Sequence, residues 1–125
     1  MNTVLFRAKL IHDKDAWAYG IPYIPITRPR DDYDRMLLVT HNGGRVEIDI
    51  NTLGQYCGYN DDINRAMIFE GDVLHVSKFA ISPITERTLY LVKDIRSILN
   101  ITSGALQIEV IGNIYDNPEL LKEVG

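Results

Sequence analysis

The chain has 125 residues, 46% hydrophobic and 24% charged, with a formal net charge of −4 and a single cysteine, Cys57. A chain this long buries roughly two-thirds of its unfolded surface, so it needs neither a metal nor a disulfide framework to fold. No apolar run approaches the ~20 residues of a membrane-spanning helix, and the first residues lack a signal-peptide layout, so a cytoplasmic protein is expected.

The aliphatic balance favours strands. Sixteen Ile and 8 Val stand against 12 Leu and 6 Ala, with 7 Tyr besides. β-branched and tyrosine side chains suit a pleated, half-buried surface, whereas Ala and Leu lead in helices. Charge is unevenly placed: residues 1–50 carry 7 basic and 7 acidic side chains, and residues 51–125 carry 6 and 10. Proteins that grip phosphates usually show a clustered basic excess, and none is visible here.

In chain order, Val4, Phe6, Ala8 and Leu10 share one parity and Arg7 and Lys9 the other, the period of a strand with one core face. His12 to Asp15 supplies turn chemistry, and Trp17, Tyr19, Ile21 and Tyr23 form the returning strand of a hairpin over about 3–21. Pro22, Pro25 and Pro29 then break regular structure, and the segment to Asp34 reads as a charged loop. Asn42-Gly43 between Arg35–Thr40 and Arg45–Ile50 signals a second hairpin.

Asn51 is placed to cap a short helix over 52–56, ended by Gly58. Gly71-Asp72 reads as a tight turn feeding a strand from Val73, of the kind that bends a sheet at a barrel corner. A short strand is expected over Thr88–Val92. Asp94 is expected to cap a helical turn carrying Ile95, Ile98 and Leu99. Leu106, Ile108 and Val110 mark a last strand, kinked near Gly112. Asn117-Pro118-Glu119 opens a short terminal helix docked by Leu120 and Leu121.

Little in this pattern carries chemistry. Cys57 reads as a buried structural cysteine, since a reactive thiol needs a partner that spacing alone does not supply. The ligand order of a calcium loop and the glycine pattern of a phosphate cradle are both absent, and Asp31, Asp32 and Asp34 fall in the charged loop. Accordingly, no catalytic residue, metal or cofactor is expected. The stripe Trp17, Tyr19, Tyr23 has the composition of an interface hot spot, although ordinary hairpin packing, the commoner case, accounts for it fully.

Three blocks are more specific. Phe6-Arg7-Ala8, then Gly54 to Gly58 with Ile68-Phe69-Glu70-Gly71-Asp72-Val73, and finally Glu109 to Leu121 together resemble the YopX family of small phage and prophage proteins. Family members usually have Thr at the position of Cys57, and Asn-Gly-Lys where this chain reads Ile63 to Met67. The resemblance implies an α+β, mainly β fold of antiparallel strands with short helices and a small SH3-like or barrel-like part. It implies no enzyme activity. The whole of 1–125 reads as one such unit, with N-terminal hairpins over about 1–60 and the barrel-like part over about 61–125. The expected role is a non-enzymatic binding or assembly module, self-associating or meeting a phage or host protein. The alternative is nucleic-acid binding through Arg28, Arg30, Arg35 and Arg65 on a small-barrel surface.

Overall fold

A computed structural model describes residues 4–23, 36–78, 86–102 and 105–124. The chain divides into two compact units, Met1–Gln55 and Tyr56–Gly125. The described residues are mostly antiparallel strand, with one short α-helix.

In the first unit, β1 (Phe6–Leu10), β2 (Asp13–Tyr23), β3 (Met36–Val39) and β4 (Arg45–Ile48) pair in the order β1-β2-β3-β4. β4 then returns to β1 through Leu10 opposite Ile48, closing a four-stranded ring. The closure is reinforced by Ile11 N–H donating to the Glu47 carbonyl (3.1 Å) and Asp49 N–H to that of Lys9 (2.8 Å). The other half of β1 pairs with the start of β5 (Gly54–Asn60), Phe6 opposite Gln55 and Arg7 opposite Gly54. Closure shortens the exposed strand edges on which another chain could add.

Ala8, Leu38 and Ile48 are buried inside the ring, with Phe6, Ala18, Val46 and Leu53 packed against them. The expected core parity holds at Ala8 and Phe6, whereas Val4, expected on the same face, is exposed. Small residues make so tight a ring possible: Ala8 faces Ala18, and a Cβ on Gly20 would lie 2.2 Å from the Val39 carbonyl oxygen. Arg7 and Lys9 take the opposite parity but are also buried, because the Trp17 indole covers them. The Arg7 guanidinium carbon lies 4.5 Å from the ring centroid, and Lys9 Nζ lies 5.5 Å away.

The first hairpin turns at Ile11-His12, earlier than expected; Leu10 faces Asp13 and Lys9 faces Trp17, so the intervening residues bulge from β2. Pro22 lies within β2, opposite Leu38, rather than in a loop; the loop from 24 onward lies outside the described residues. The second hairpin has a three-residue loop, His41-Asn42-Gly43, closed by Gly43 N–H to Thr40 O (2.9 Å) and Thr40 N–H to Gly44 O (2.8 Å). Only Gly43 takes positive φ there (86°), the arrangement of a type I turn with a glycine bulge.

Residues 52–56 form no helix. A single 3-10 turn spans Ile50–Thr52, with Asp49 rather than Asn51 as its cap, accepting from Asn51 N–H at 3.0 Å. Gly54 and Gln55 are drawn into strand pairing with β1, and Gly58 (φ 87°) lies within β5, where its pairing with β6 (Met67–Phe69) is irregular. Local cap chemistry yields here to tertiary pairing.

The second unit centres on β7 (Asp72–Lys78), flanked by β8 (Glu86–Leu91) and β9 (Ala105–Asn113) in an open antiparallel sheet. The closed ring thus lies in the half read as hairpins, and the half read as barrel-like holds this open sheet. Leu74, Val76, Val92, Ile108, Cys57 and Ile68 form its core, joined by Ile98 and Ile101 from helix α1 (Ser97–Thr102). Ile95 and Leu99 are exposed, so the buried helical pair is Ile98/Ile101, three residues apart, and not the expected triplet. Asp94 does tie the helix start, accepting from Ser97 N–H at 2.9 Å.

Both outer strands of this sheet are covered from within the unit. Leu89 on β8 bridges Val124 in parallel. On β9, Asp62 N–H donates to the Ile108 carbonyl (2.9 Å), while the Asp62 and Asp61 carboxylates accept from Ile108 N–H (2.8 Å) and Val110 N–H (3.0 Å).

Candidate functional site

The blocks of specific wording pair within each unit. The first block pairs with the start of the second, Phe6 and Arg7 against Gln55 and Gly54. The remainder of the second block interlocks with the third. Asp72 faces Asn113 and Val73 faces Gly112, with Ile111 bulged out of register. Ile114 N–H donates to the Gly71 carbonyl (3.0 Å), and Gly71 (φ 94°) leaves room for Tyr115, whose ring a Cβ would approach to 3.0 Å. Buried Asp72 accepts from Phe69 N–H at 2.8 Å. Asn113 accepts from the N–H groups of Tyr115 and Asp116.

Asn117 does not cap the helical turn Pro118–Lys122 with its side chain; its carboxamide oxygen accepts from Asn113 N–H at 3.2 Å, against the face of Gly112. Leu120 is half-buried and Leu121 exposed, so only one of the two expected docking leucines is covered. These polar side chains all bind the chain's own backbone, leaving a structural role as their physical content.

Asp61 belongs to the same class. It is only 2% exposed, and one oxygen accepts from Asn64 N–H (2.8 Å) and Ala66 N–H (3.2 Å) while the other takes Val110 N–H. Burial pushes its carboxyl up, but the backbone donors Val110, Asn64, Ala66 and Arg65 outweigh that and hold it below the ordinary carboxylate value. Arg65, with φ 60°, is the one non-glycine residue in the left-handed region among the described residues, and its carbonyl accepts from Asn60 Nδ2. Its exposed side chain belongs to this turn. Arg28, Arg30 and Arg35, and with them Asp31, Asp32 and Asp34, lie outside the described residues. Cys57 is buried among aliphatics.

Bulky side chains are concentrated on the outer face of the ring. Alternation along β2 sends Trp17, Tyr19, Ile21 and Tyr23 away from the core. Trp17 is engaged with Arg7 and Lys9. Tyr19 and Ile21 are 46% and 47% exposed, and Tyr23 is half-buried beneath the Arg45 guanidinium, 5.0 Å from its ring centroid. Pairing of β2 with β3 sets Val39 opposite Ile21. Together Val4, Leu5, Tyr19, Ile21, Tyr23 and Val39 line an open groove of about 710 Å³, with Thr40 and His41 as polar members. Its size lies within the usual range of ligand sites, and no acidic residue among the described ones lines it.

The fold thus brings Tyr19 and Tyr23 of the expected aromatic stripe into one groove and assigns Trp17 to covering two cations. Ile21 shared the parity of that stripe and was legible; Val39 and Arg45 depended on β2–β3–β4 register, which no local signal revealed. In the second unit, a cleft of about 300 Å³ beside Tyr90, Lys93 and Asn100 and a dent of about 70 Å³ at His75 and Glu109 are smaller. No group of three or more potential metal ligands converges among the described residues.

No helix among the described residues is long and apolar enough to cross a membrane. No curated protein and no solved structure matches the chain. The family described as YopX protein matches it over residues 6–122, a span that takes in all three interlocked blocks. The chain therefore belongs to the YopX family.

Proposed function

We propose that this chain is a non-enzymatic binding module of a phage or prophage, at work in the host cytoplasm through protein–protein contacts, with its ring acting as a small SH3-like barrel. The observation that carries the reading is the apolar groove on the outer face of the ring, where Tyr19 and Ile21 remain nearly half exposed. Contiguous apolar surface of this kind is the usual mark of an association site. Ring closure and the contacts along the outer strands of the second unit shorten the free strand edges, which favours contact through side chains over strand-to-strand addition.

Light scattering over a concentration series, with cross-linking in host lysate, tests the reading. The wild type is expected to form a complex with itself or a partner, and Ile21→Asp to abolish it. A strict monomer that captures nothing, or a complex indifferent to Ile21→Asp, would contradict it.

A further inference from the structure

The groove is apolar along its floor, with a guanidinium against one wall and Glu47 two residues further along the same face of β4. Arg45 is exposed, and its guanidinium rests on the Tyr23 ring, which forms part of the groove wall. No carboxylate among the described residues pairs with it. His41 adds an imidazole to the lining, a hydrogen-bond donor in either tautomer. An occupant that leaves Arg45 facing an apolar or cationic group gains less than one that brings an acid to it. Stacking on an aromatic face also holds a guanidinium flat, the posture that suits a bidentate carboxylate.

At the groove β2 and β3 are already paired with each other over Ile21–Tyr23, so the surface offered to the occupant there is one of side chains. The floor is tightly set: Gly20 lets β2 approach β3 so closely that a Cβ there would meet the Val39 carbonyl. Ile21 and Val39, opposite one another, then form a continuous apolar strip bounded by two tyrosines.

We infer that this groove takes an extended segment of a partner protein, presenting bulky aliphatic side chains to Tyr19, Ile21 and Val39 and a carboxylate to Arg45. The inference rests on the groove being the contact surface and adds the chemistry of what fills it.

The test uses the full chain and three fluorescein-labelled octapeptides in a serine–glycine host. Each carries two leucines two positions apart, followed two positions later by glutamate, glutamine or lysine. Fluorescence anisotropy at low and moderate salt is expected to show the glutamate peptide bound at least fivefold more tightly than the glutamine one. The lysine peptide is expected to bind weakest. Arg45→Glu should reverse that order, and Ile21→Asp should abolish binding of all three.

Equal affinity for the three peptides would overturn the carboxylate assignment while leaving the groove as a contact surface. Absence of peptide binding, with self-association that Ile21→Asp abolishes, would assign the groove to a second copy and overturn the extended segment alone. Binding that survives Ile21→Asp would overturn the groove itself, and absence of both peptide binding and self-association would overturn the inference together with the reading beneath it.

Discussion

The two units are held together differently. In Tyr56–Gly125, Asp61, Asp62, Asp72, Asn113 and Asn117 turn inward and accept from backbone N–H groups, holding turns onto strands. In Met1–Gln55 the ring closes by strand pairing round a small apolar core, and its bulky side chains project outward. A carboxylate that already accepts two or three backbone donors has little capacity left for a ligand. Tyr19, Ile21 and Arg45 stay exposed. The most recognisable wording of the second unit therefore marks fold maintenance, while the plainer outer face of the first holds the groove.

The largest blow to the second unit is expected from its core. Leu74→Ala removes a fully buried side chain from β7 and should cost roughly 2–5 kcal/mol in denaturant unfolding. Leu38→Ala, equally buried in the ring, should cost no more, because small neighbours leave it fewer methyl groups to contact. A larger loss at Leu38 would show that the ring carries more of the stability than its size suggests.

The polar clasp comes next. Asp61→Ala strands three buried or half-buried N–H donors, and should cost on the order of 2 kcal/mol by thermal melting. Because the folded carboxyl is held below its ordinary value, its contribution is fully present above about pH 4, the unfolded value, and is lost as pH falls through the lower folded one. Wild type should therefore lose stability below about pH 4 more steeply than Asp61→Ala. Parallel acid melts check this, and equal slopes would remove Asp61 from the comparison.

Glycines sharpen the contrast within the ring. Gly20→Ala drives a Cβ against the Val39 backbone and should destabilise by about 1–3 kcal/mol, as overpacking does. Gly43→Ala meets no atom within 4 Å, so only its positive φ opposes it, at roughly 1 kcal/mol. Equal melting temperatures for the two variants would contradict the close approach of β2 and β3.

The smallest stability effect is expected in the groove. Ile21→Asp and Arg45→Glu alter exposed side chains and should shift stability by no more than about 0.5 kcal/mol. Both should nevertheless change binding, which separates contact surface from scaffold.

Much of this fold was legible locally. Alternation marked β1, β4 and β9, Gly71 declared its turn, and Asp94 its tie to the helix start. The failures share one physical cause, that long-range pairing outranks local preference. Asn51 and Gly58 look like helix caps, but Gly54 and Gln55 are held as strand by β1. Asn117 looks like a side-chain cap, yet Gly112 leaves space that draws its carboxamide back to Asn113. The groove was half legible: the parity of β2 exposed Tyr19, Ile21 and Tyr23, whereas Val39 and Arg45 arrive only once three strands are in register.

Amide chemical-shift mapping of the full chain during titration with the leucine–glutamate octapeptide tests the central claim most directly. Perturbed amides are expected at residues 4–5, 19–23 and 39–45, with those of β7, β8 and β9 unmoved. Shifts concentrated on β7–β9, or spread evenly over both units, would contradict the account.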